Sequence, residues 1–351
     1  ALAMLWMREE DGTPFAGDPR RALAQVVDRY RQRGLTPVVA TELEFYRYDP
    51  SGTQPEPPCS PITEKRLGSD GALSLDELQH FDEFLDEVYD ACAEQGSPAD
   101  AAISENGAGQ FEINMVHVGD ALKAADDAVL FKRLVRGIAR KHGLAATFMA
   151  KPMQNESGSA LHVHQSLYDV ASNKNVFAND DDTDSSLFLS YLAGLQTYAP
   201  AMMPLFAPNV NSCRRFTYEE SPINTHGGHD NRSCGLRVPR SSANGRRVEN
   251  RLPGADVNPY LAIAATLACG YLGMVEGLAA TPEETGNAYI LERNLPHHLS
   301  DALSRFEENE KVREVLGDRF VDVVCVVKRD ELATYDRVIS SWEREHLLLN
   351  V

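Results

Sequence analysis

Apolar residues recur along this chain at the two spacings that distinguish helices from strands. Residues 18–34 begin with an aspartate N-cap and a first-turn proline, carry an apolar stripe and end in glycine, which predicts an amphipathic helix. Ser74 and Glu77 form a capping box that opens a second predicted helix, which ends at Gly96. The same reasoning predicts helices at 120–142, after the Asp-rich stretch 179–184, at 258–277, and through much of the chain from about 285 onward.

Shorter runs of apolar residues, bounded by turn-forming residues, predict strands. Residues 209–232 have the composition of a long polar loop. The Asp-rich stretch lacks the pattern of an EF-hand loop, so we expect it to precede a helix and not to bind calcium. Because the strands are separated by helices and several form hairpins, we predict one α+β domain with a largely antiparallel sheet. The predicted strands are at about 37–48, 101–104, 110–115, 144–150, 160–168, 233–239 and 246–252.

Charged side chains occupy alternate positions on several of these strands. Residues i and i+2 of a strand point to the same face, so Glu42 lies beside Glu44, and His162 beside His164. The segment Arg247-Val-Glu249-Asn-Arg251 likewise places three charges on one side. Polar groups crowded on one face are costly to bury unless they hold a metal and an anionic ligand. This pattern is the main indication of function.

Each of these groups also has a plainer interpretation. Alternating acids such as Glu42 and Glu44 usually mark a solvated strand face, but the apolar residues on both sides of this pair favour burial. Two acids flank the turn at 105–112, and taken alone this motif is better explained by an ordinary hairpin with solvated acids. The two histidines are either satisfied by hydrogen bonds or bound to a metal or substrate, and spacing alone does not separate the two.

Arginines supply a second signal in the same part of the chain. The planar guanidinium suits carboxylates and phosphates, so this group predicts an anionic substrate beside the acidic face. Hard oxygen ligands with one or two imidazoles indicate Mg²⁺ or Mn²⁺ and not a closed thiolate zinc site. No Walker A motif or dinucleotide fingerprint is present, so any nucleotide must be held in another way. The combination of cations and arginines still favours metal-assisted phosphoryl transfer. The arginines are Arg215, Arg232, Arg237, Arg247 and Arg251.

Composition narrows the possible partners and compartment. The formal charge of −18 over 351 residues argues against a nucleic-acid surface. No apolar run predicts a membrane span. Six cysteines without a CxxC pair favour a reducing, cytoplasmic location. The first residue is Ala1, and we expect the natural protein to continue upstream.

Read together and in order, the motifs resemble the catalytic domain of the glutamine synthetase superfamily, type I. The resemblance implies a curved, largely antiparallel sheet that forms half of an active-site barrel, with surrounding helices. It also implies that residues 1–14 end an N-terminal β-grasp domain or linker and that 15–351 form the catalytic domain. The matching stretches are ELEFY (42–46), SENGAGQFEIN (104–114), ATFMAKP (146–152), GSALHVHQSL (158–167), NSCRRF (211–216), DNRSCGLRVP (230–239) and RRVENRLPGADVNPYLA (246–262).

The resemblance further implies a role for each candidate residue. One Mg²⁺ or Mn²⁺ would be held by Glu44, Glu105 and Glu112, and a second by Glu42, His162 and Glu249. Glutamate would be bound by Arg215, Arg251 and the Gly158 backbone, close to Glu44. The phosphoryl group and ATP would be contacted by Arg232, Arg237, Arg247, His164 and Ser166. An acidic loop residue would close the site, with Glu220 the better match and Glu219 the alternative.

The implied reaction transfers the ATP γ-phosphate to the side-chain carboxylate of glutamate, after which an amine displaces phosphate. Relatives assemble as homo-oligomers, either hexameric rings or dodecamers, with active sites at subunit interfaces. The segments NSCRRF and HDNRSCGLRVP and the C-terminal tail are similar to the γ-glutamylpolyamine synthetase branch, where the amine is putrescine or a related organic amine. The alternatives are an ammonia-using glutamine synthetase and an inactive scaffold or sensor. Intact matches at all six predicted metal ligands argue against the scaffold.

Overall fold

The computed structural model describes residues 2–69, 72–97, 99–216 and 221–351. The helices are α1 (Pro19–Arg31), α2 (Leu75–His80), α3 (Asp82–Glu94), α4 (Ala121–Lys141), α5 (Ser186–Tyr198), α6 (Met203–Phe206), α7 (Val210–Cys213), α8 (Pro259–Glu276), α9 (Leu299–Glu308), α10 (Glu310–Leu316), α11 (Asp318–Tyr335) and α12 (Ser341–Leu347). The strands are β1 (Leu35–Tyr48), β2 (Ala99–Ser104), β3 (Gln110–Met115), β4 (Ala145–Thr147), β5 (Leu161–Asp169), β6 (Gly227–His229), β7 (Leu236–Val238) and β8 (Val248–Asn250).

The strands of the described residues form one open sheet. Its order is β2-β3-β1-β5-β8-β7-β6, and β4 pairs with one end of β1. Every pairing is antiparallel except that of β6 with β7. The prediction of an α+β domain built on a largely antiparallel sheet is therefore confirmed.

The two faces of the sheet have opposite character. On β1, Leu43 and Phe45 are fully buried and belong to the hydrophobic core, which is closed by α1, α4 and α8. Glu42 and Glu44 alternate with them and point to the other face. Burial of the apolar face, at about 25 cal/mol per Å² of apolar surface, fixes which side of each strand points outward.

Helix α8 is long and apolar enough to cross a membrane by length and composition. Most of it, 72%, is nevertheless buried inside the protein, where it packs against α1, α4 and α5. Its N-terminus follows the prediction, because the Asn258 side chain caps it and Pro259 takes the first turn. It is a core helix.

The prediction of one unbroken helix from Ser74 to Gly96 is wrong, because the structure has two helices there. The chain leaves the helical conformation at Phe81 (φ −124°, ψ 28°), which divides it into α2 and α3. At this break the fully buried guanidinium of Arg47 lies over the Phe81 ring. The guanidinium carbon is 3.6 Å from the centroid of the ring. Ser74 caps α2, whereas the Glu77 side chain turns inward towards Ser104 and Gly109.

The predicted extents of one loop and three strands also need correction. The loop predicted at 209–232 contains the short helix α7 and the strand β6. The strands predicted at 233–239 and 246–252 keep only three residues each, because Pro239 and Pro253 follow them closely and proline has no N–H to donate to a neighbouring strand. The strand predicted at 144–150 is also reduced to three residues.

Candidate active site

Strand register gathers the predicted polar residues on the open face of the sheet. The alternation on each strand gives the side chains their common direction, and the pairing brings the strands into line. Directly opposed pairs run across five neighbouring strands. These pairs are Glu112–Glu44 (β3–β1), Glu42–His162 (β1–β5), His164–Glu249 (β5–β8) and Glu249–Arg237 (β8–β7).

Glu105 reaches the same place from the turn between β2 and β3. Its backbone N–H donates to the Gln110 carbonyl at 2.9 Å, which closes the turn. Gly109 has a positive φ of 78°, and a Cβ there would lie 2.6 Å from Pro58 and 2.8 Å from the carbonyl oxygen of Arg47. Only glycine fits this turn without strain, so this residue keeps the hairpin tight enough to bring Glu105 next to Glu112.

Three groups of side chains offer ligand atoms that lie within 4.8 Å of one another. One is the predicted carboxylate set. The predicted second set, Glu42, His162 and Glu249, is not one of the three, although His162 Nδ1 lies 3.0 Å from Glu42 Oε2 and 3.4 Å from Glu249 Oε1. The three groups are Glu44, Glu105, Glu112; Glu42, Glu112, His162; and Glu42, His164, Glu249.

Nearby arginines offset the negative charge of the carboxylate set only in part, because burial has the larger effect. Burial, followed by the charge of Glu105, raises the pKa of Glu44 to about 8. Burial also raises the pKa of Glu105, and burial together with four neighbouring glutamates raises the pKa of Glu112 well above its usual value. Three converging oxygen donors whose negative charge is this unfavourable fit a hard divalent cation.

Glu42 and Glu249 are compensated by the chain itself. Burial alone would raise the pKa of Glu42, but hydrogen bonds with His162 and His164 bring it well below the usual value. Glu249 is fully buried, and burial would raise its pKa, but the charges of Arg251, His164 and His162 together lower it to about 2.

The hydrogen bonds around Glu42 also set the proton position on one imidazole. Arg247 Nε donates to His164 Nδ1 at 3.2 Å, so the proton of neutral His164 is on Nε2. That nitrogen lies 2.7 Å from Glu42 Oε1 and donates to it. Burial, with the nearby charge of Arg251, lowers the pKa of His162 and favours its neutral form, which is the form that binds metals.

A cavity of about 420 Å³ opens over the carboxylates and is lined by four of the predicted arginines, Arg215, Arg232, Arg237 and Arg251. Arg237 NH1 donates to Glu249 at 2.8 Å and its NH2 to Asp230 at 3.1 Å. Arg251 NH1 also donates to Glu249. Arg232 is exposed and has no acidic hydrogen-bond partner among the described residues, so its guanidinium is available to contact a ligand.

Arg215 and Gly158 also line this cavity and contact each other. Arg215 is buried and donates to Ser221 Oγ at 3.0 Å and to the carbonyl of Leu252. Burial lowers its pKa to about 10. A Cβ at Gly158 would lie 2.4 Å from the Arg215 stem, so the absence of a side chain lets the arginine pack against the backbone.

Of the residues predicted to contact the phosphoryl group and the nucleotide, Arg232 and Arg237 line this cavity, whereas His164, Ser166 and Arg247 lie beside it. His164 and Ser166 continue the same face along β5, away from Glu44, and Arg247 covers His164. Glu220 and the alternative Glu219 fall outside the described residues. Their predicted role, like those of the other site residues, stays a prediction.

Sequence reasoning missed several residues of the site. Gln110 donates from Nε2 to Glu44, at 3.3 Å, and to the Gly158 carbonyl, at 3.0 Å. Its position two residues before Glu112, on the same strand face, was a usable signal. Tyr289 also lines the cavity, from a turn near the C-terminal helices, and no local pattern indicates it.

Comparisons with known proteins agree with this geometry. Residues 16–347 match the family model described as glutamine synthetase, catalytic domain. A gamma-glutamylputrescine synthetase, PuuA, of Escherichia coli (strain K12) is 42% identical over 353 residues, which cover 99% of this chain and 74% of the relative. A glutamate–isopropylamine ligase of a Pseudomonas species is 35% identical, covering 95% of this chain and 74% of the relative.

Among solved structures, the ligand-free form of a protein named GmaS superposes with a TM-score of 0.86 at 30% identity. The match covers 96% of this chain and 78% of that chain. Its complex with ADP gives the same TM-score and identity. The family model, the two relatives and the solved structure each match nearly the whole of this chain.

Proposed function

Because the chain belongs to the glutamine synthetase family, we propose that the protein is an ATP-dependent ligase that joins the γ-carboxylate of L-glutamate to an organic amine. One observation carries the proposal: a cavity in which converging carboxylates and arginines share one face of the sheet, in a chain whose two relatives above have names that specify an organic amine.

The reaction proceeds in two balanced steps. An oxygen of the glutamate γ-carboxylate attacks the γ-phosphorus of ATP, the bond to the β–γ bridging oxygen breaks, and ADP leaves. The amine nitrogen then attacks the acyl carbon of γ-glutamyl phosphate, phosphate leaves, and the nitrogen loses a proton. The first step makes an unreactive carboxylate into an acyl donor.

The carboxylate and histidine groups fit two hard cations, and we assign them to Mg²⁺ or Mn²⁺. When bound, these ions offset negative charge on the phosphate oxygens. One ion is assigned to Glu44, Glu105 and Glu112, and the other to Glu42, His162 and Glu249. Support comes from the short distances among these ligand atoms and from the raised pKa values of the first set.

The arginines divide between the two substrates. Arg215 and Arg251, with the Gly158 backbone, are assigned to the carboxylates of glutamate, since they line the cavity next to Glu44. Around the transferred phosphoryl group, positive charge offsets the oxygens of the transition state. That group is assigned to Arg232, Arg237 and Arg247, the nucleotide to His164, Ser166, Arg237 and Arg247, and closure of the site to Glu220.

The lining of the cavity supports an organic amine over ammonia. Its walls include four residues with apolar surface, and Leu73 is 77% exposed, which places it at the opening. Methylene groups of an alkyl amine gain from contact with such surface, whereas ammonia has none to bury. The four residues are Leu73, Ile103, Pro222 and Tyr289.

Assembly, domain limits and location are part of the same proposal. We assign a cytoplasmic homo-oligomer, a hexameric ring or a dodecamer, with 1–14 as the end of an N-terminal domain or linker and 15–351 as the catalytic domain. Large apolar side chains exposed near the C-terminus, such as Ile339, Trp342 and Leu348, support burial against other subunits.

The test is phosphate release from ATP with glutamate, Mg²⁺ and a panel of amines: ammonia, methylamine, isopropylamine, putrescine and longer polyamines. We expect release with at least one alkyl amine, and mass spectrometry should find its γ-glutamyl amide. Release with ammonia alone would replace the proposal by a glutamine synthetase. No release with any amine, from protein that binds ADP, would favour the scaffold.

A further inference from the structure

The Asp-rich stretch has no role in the proposed reaction. It contacts the segment that directly precedes Arg247. This stretch, 179–184, lies in the loop before α5 and is named here the aspartate loop. Residues 243–246, named here the arginine segment, form a short 3₁₀ turn and lead directly into Arg247. The two are far apart in sequence but meet through several hydrogen bonds.

Asp184 and Asp182 make the charged contacts. Asp184 pairs with Arg246, whose side chain is only 9% exposed. Arg246 NH2 also donates to the Asp182 carbonyl at 2.8 Å, and the Asp182 carboxylate accepts the backbone N–H of Ala243. Asp182 has a positive φ of 64°, a conformation that aspartate tolerates better than most residues, and in it both of its oxygen groups bond to the arginine segment.

Two residues of the neighbouring β5 region hold the same segment. Asn175 Nδ2 donates to the carbonyls of Asn244, at 3.1 Å, and Arg246, at 2.7 Å. Tyr168 OH donates to the Asn244 carbonyl at 2.8 Å. These bonds use backbone carbonyls, so they fix the path of the chain and not one side chain.

We propose that the aspartate loop is a positioning element: Asp182 and Asp184 hold the arginine segment so that Arg247 lies against His164 and faces the nucleotide. Arg247 Nε reaches His164 Nδ1 at 3.2 Å, and its NH1 returns to the Gly245 carbonyl at 3.3 Å, so its direction depends on the turn before it. The inference rests on the proposed use of Arg247 for ATP.

The decisive variant is Asp184→Asn, which keeps the side-chain size and removes the charge that holds Arg246. We expect kcat/KM for ATP to fall about tenfold to a hundredfold, because small displacements of a group that orients a substrate have effects of this size. KM for glutamate should stay unchanged, since its assigned arginines, Arg215 and Arg251, are held by other contacts. A general loss of structure would affect both substrates alike.

The matched control is Asp180→Asn in the same loop. Its side chain is 96% exposed and contacts only Lys174 among the described residues, at 3.3 Å, so both KM values should equal those of the parent. Asp182→Gly keeps the positive φ accessible and removes the side chain that accepts the Ala243 N–H. It should raise KM for ATP severalfold even where Asp184→Asn folds poorly.

A double-mutant cycle completes the test. Arg246→Gln should reproduce Asp184→Asn, and the double variant should lose no more than either single one. The parent's turnover tests the proposed function separately. With an active parent, unchanged KM and binding of ATP in folded Asp184→Asn and Asp182→Gly would overturn the positioning role.

Discussion

Two sets of glutamates share one face of this sheet and differ in how their charge is balanced. Glu42 and Glu249 have partners within the chain, and their pKa values are depressed. At Glu44, Glu105 and Glu112, burial and neighbouring glutamates outweigh any nearby arginine, and the pKa values are raised. Glutamates only a few ångströms apart thus have pKa values shifted in opposite directions.

The difference shows what each set needs from outside the chain. An acid already held by arginine and histidine stays ionised without a ligand and orients its partners. Acids that repel one another are stabilised as anions only when a cation arrives. Glu42 and Glu249, named here the paired set, therefore provide rigidity. Glu44, Glu105 and Glu112, named here the unpaired set, provide the stronger driving force for metal binding.

The largest expected effect comes from breaking the paired set with Glu249→Gln. It leaves Arg237 and Arg251 without their buried counter-charge, so the free energy of unfolding should fall by about 3–5 kcal/mol. Phosphate release should fall at least a hundredfold, by about the amount that losing one key electrostatic group costs. Thermal unfolding and the phosphate assay measure the two effects. The control Glu314→Gln, at a 63% exposed site, should change neither.

Glu112→Gln tests the unpaired set and should have the opposite effect on stability. Removing one of several mutually repelling carboxylates should stabilise the metal-free protein at pH 8, because the raised pKa of Glu112 means that its ionisation is unfavourable in the folded protein. Mn²⁺ affinity, followed by titration calorimetry, should fall at least about tenfold. Destabilisation of the metal-free protein would show that these acids are already compensated.

The pH dependence of stability should carry the same signature. Glu44 has a pKa of about 8 in the folded protein and an ordinary value of 4.5, so the folded state binds more protons between these limits. Its contribution to stability is complete below about pH 4.5 and is lost as pH rises towards 8.

Metal should reverse this loss. Mn²⁺ should therefore raise the unfolding temperature more at pH 8 than at pH 6, relative to EDTA. Glu44→Gln should reduce this pH difference without abolishing it, because Glu105 and Glu112 also have raised pKa values. An equal effect of Mn²⁺ at both values in the parent would contradict the raised pKa.

The smallest effect is expected at the outer edge of the paired set. Asp230 is 36% exposed and holds Arg237 from the side opposite Glu249, at 3.1 Å. Asp230→Asn should cost at most about 1 kcal/mol of stability, because partly exposed pairs contribute little. Steady-state kinetics should show a severalfold lower kcat/KM for ATP. A loss as large as that of Glu249→Gln would mean that Asp230, and not Glu249, orients this arginine.

Much of the fold and part of the site could be predicted from local pattern. Helix caps such as Asp18 and Asn258, and the alternation around Glu42, His162 and Glu249, follow from short-range geometry. The break at Phe81 could not be predicted, because it accompanies the packing of that ring on Arg47, a residue far away in the sequence. The position of Tyr289 in the cavity could not be predicted for a similar reason, since the residue lies in a turn that is distant in the sequence.

The sequence by itself determined which side chains share a face, because the two-residue repeat of a strand is a property of the backbone. It also determined the family, through motifs in a fixed order. Only the tertiary structure decided which glutamates are neutralised. Electrostatic compensation depends on the atoms that strand register brings within a few ångströms, and Glu249 meets Arg237 while Glu112 meets Glu44.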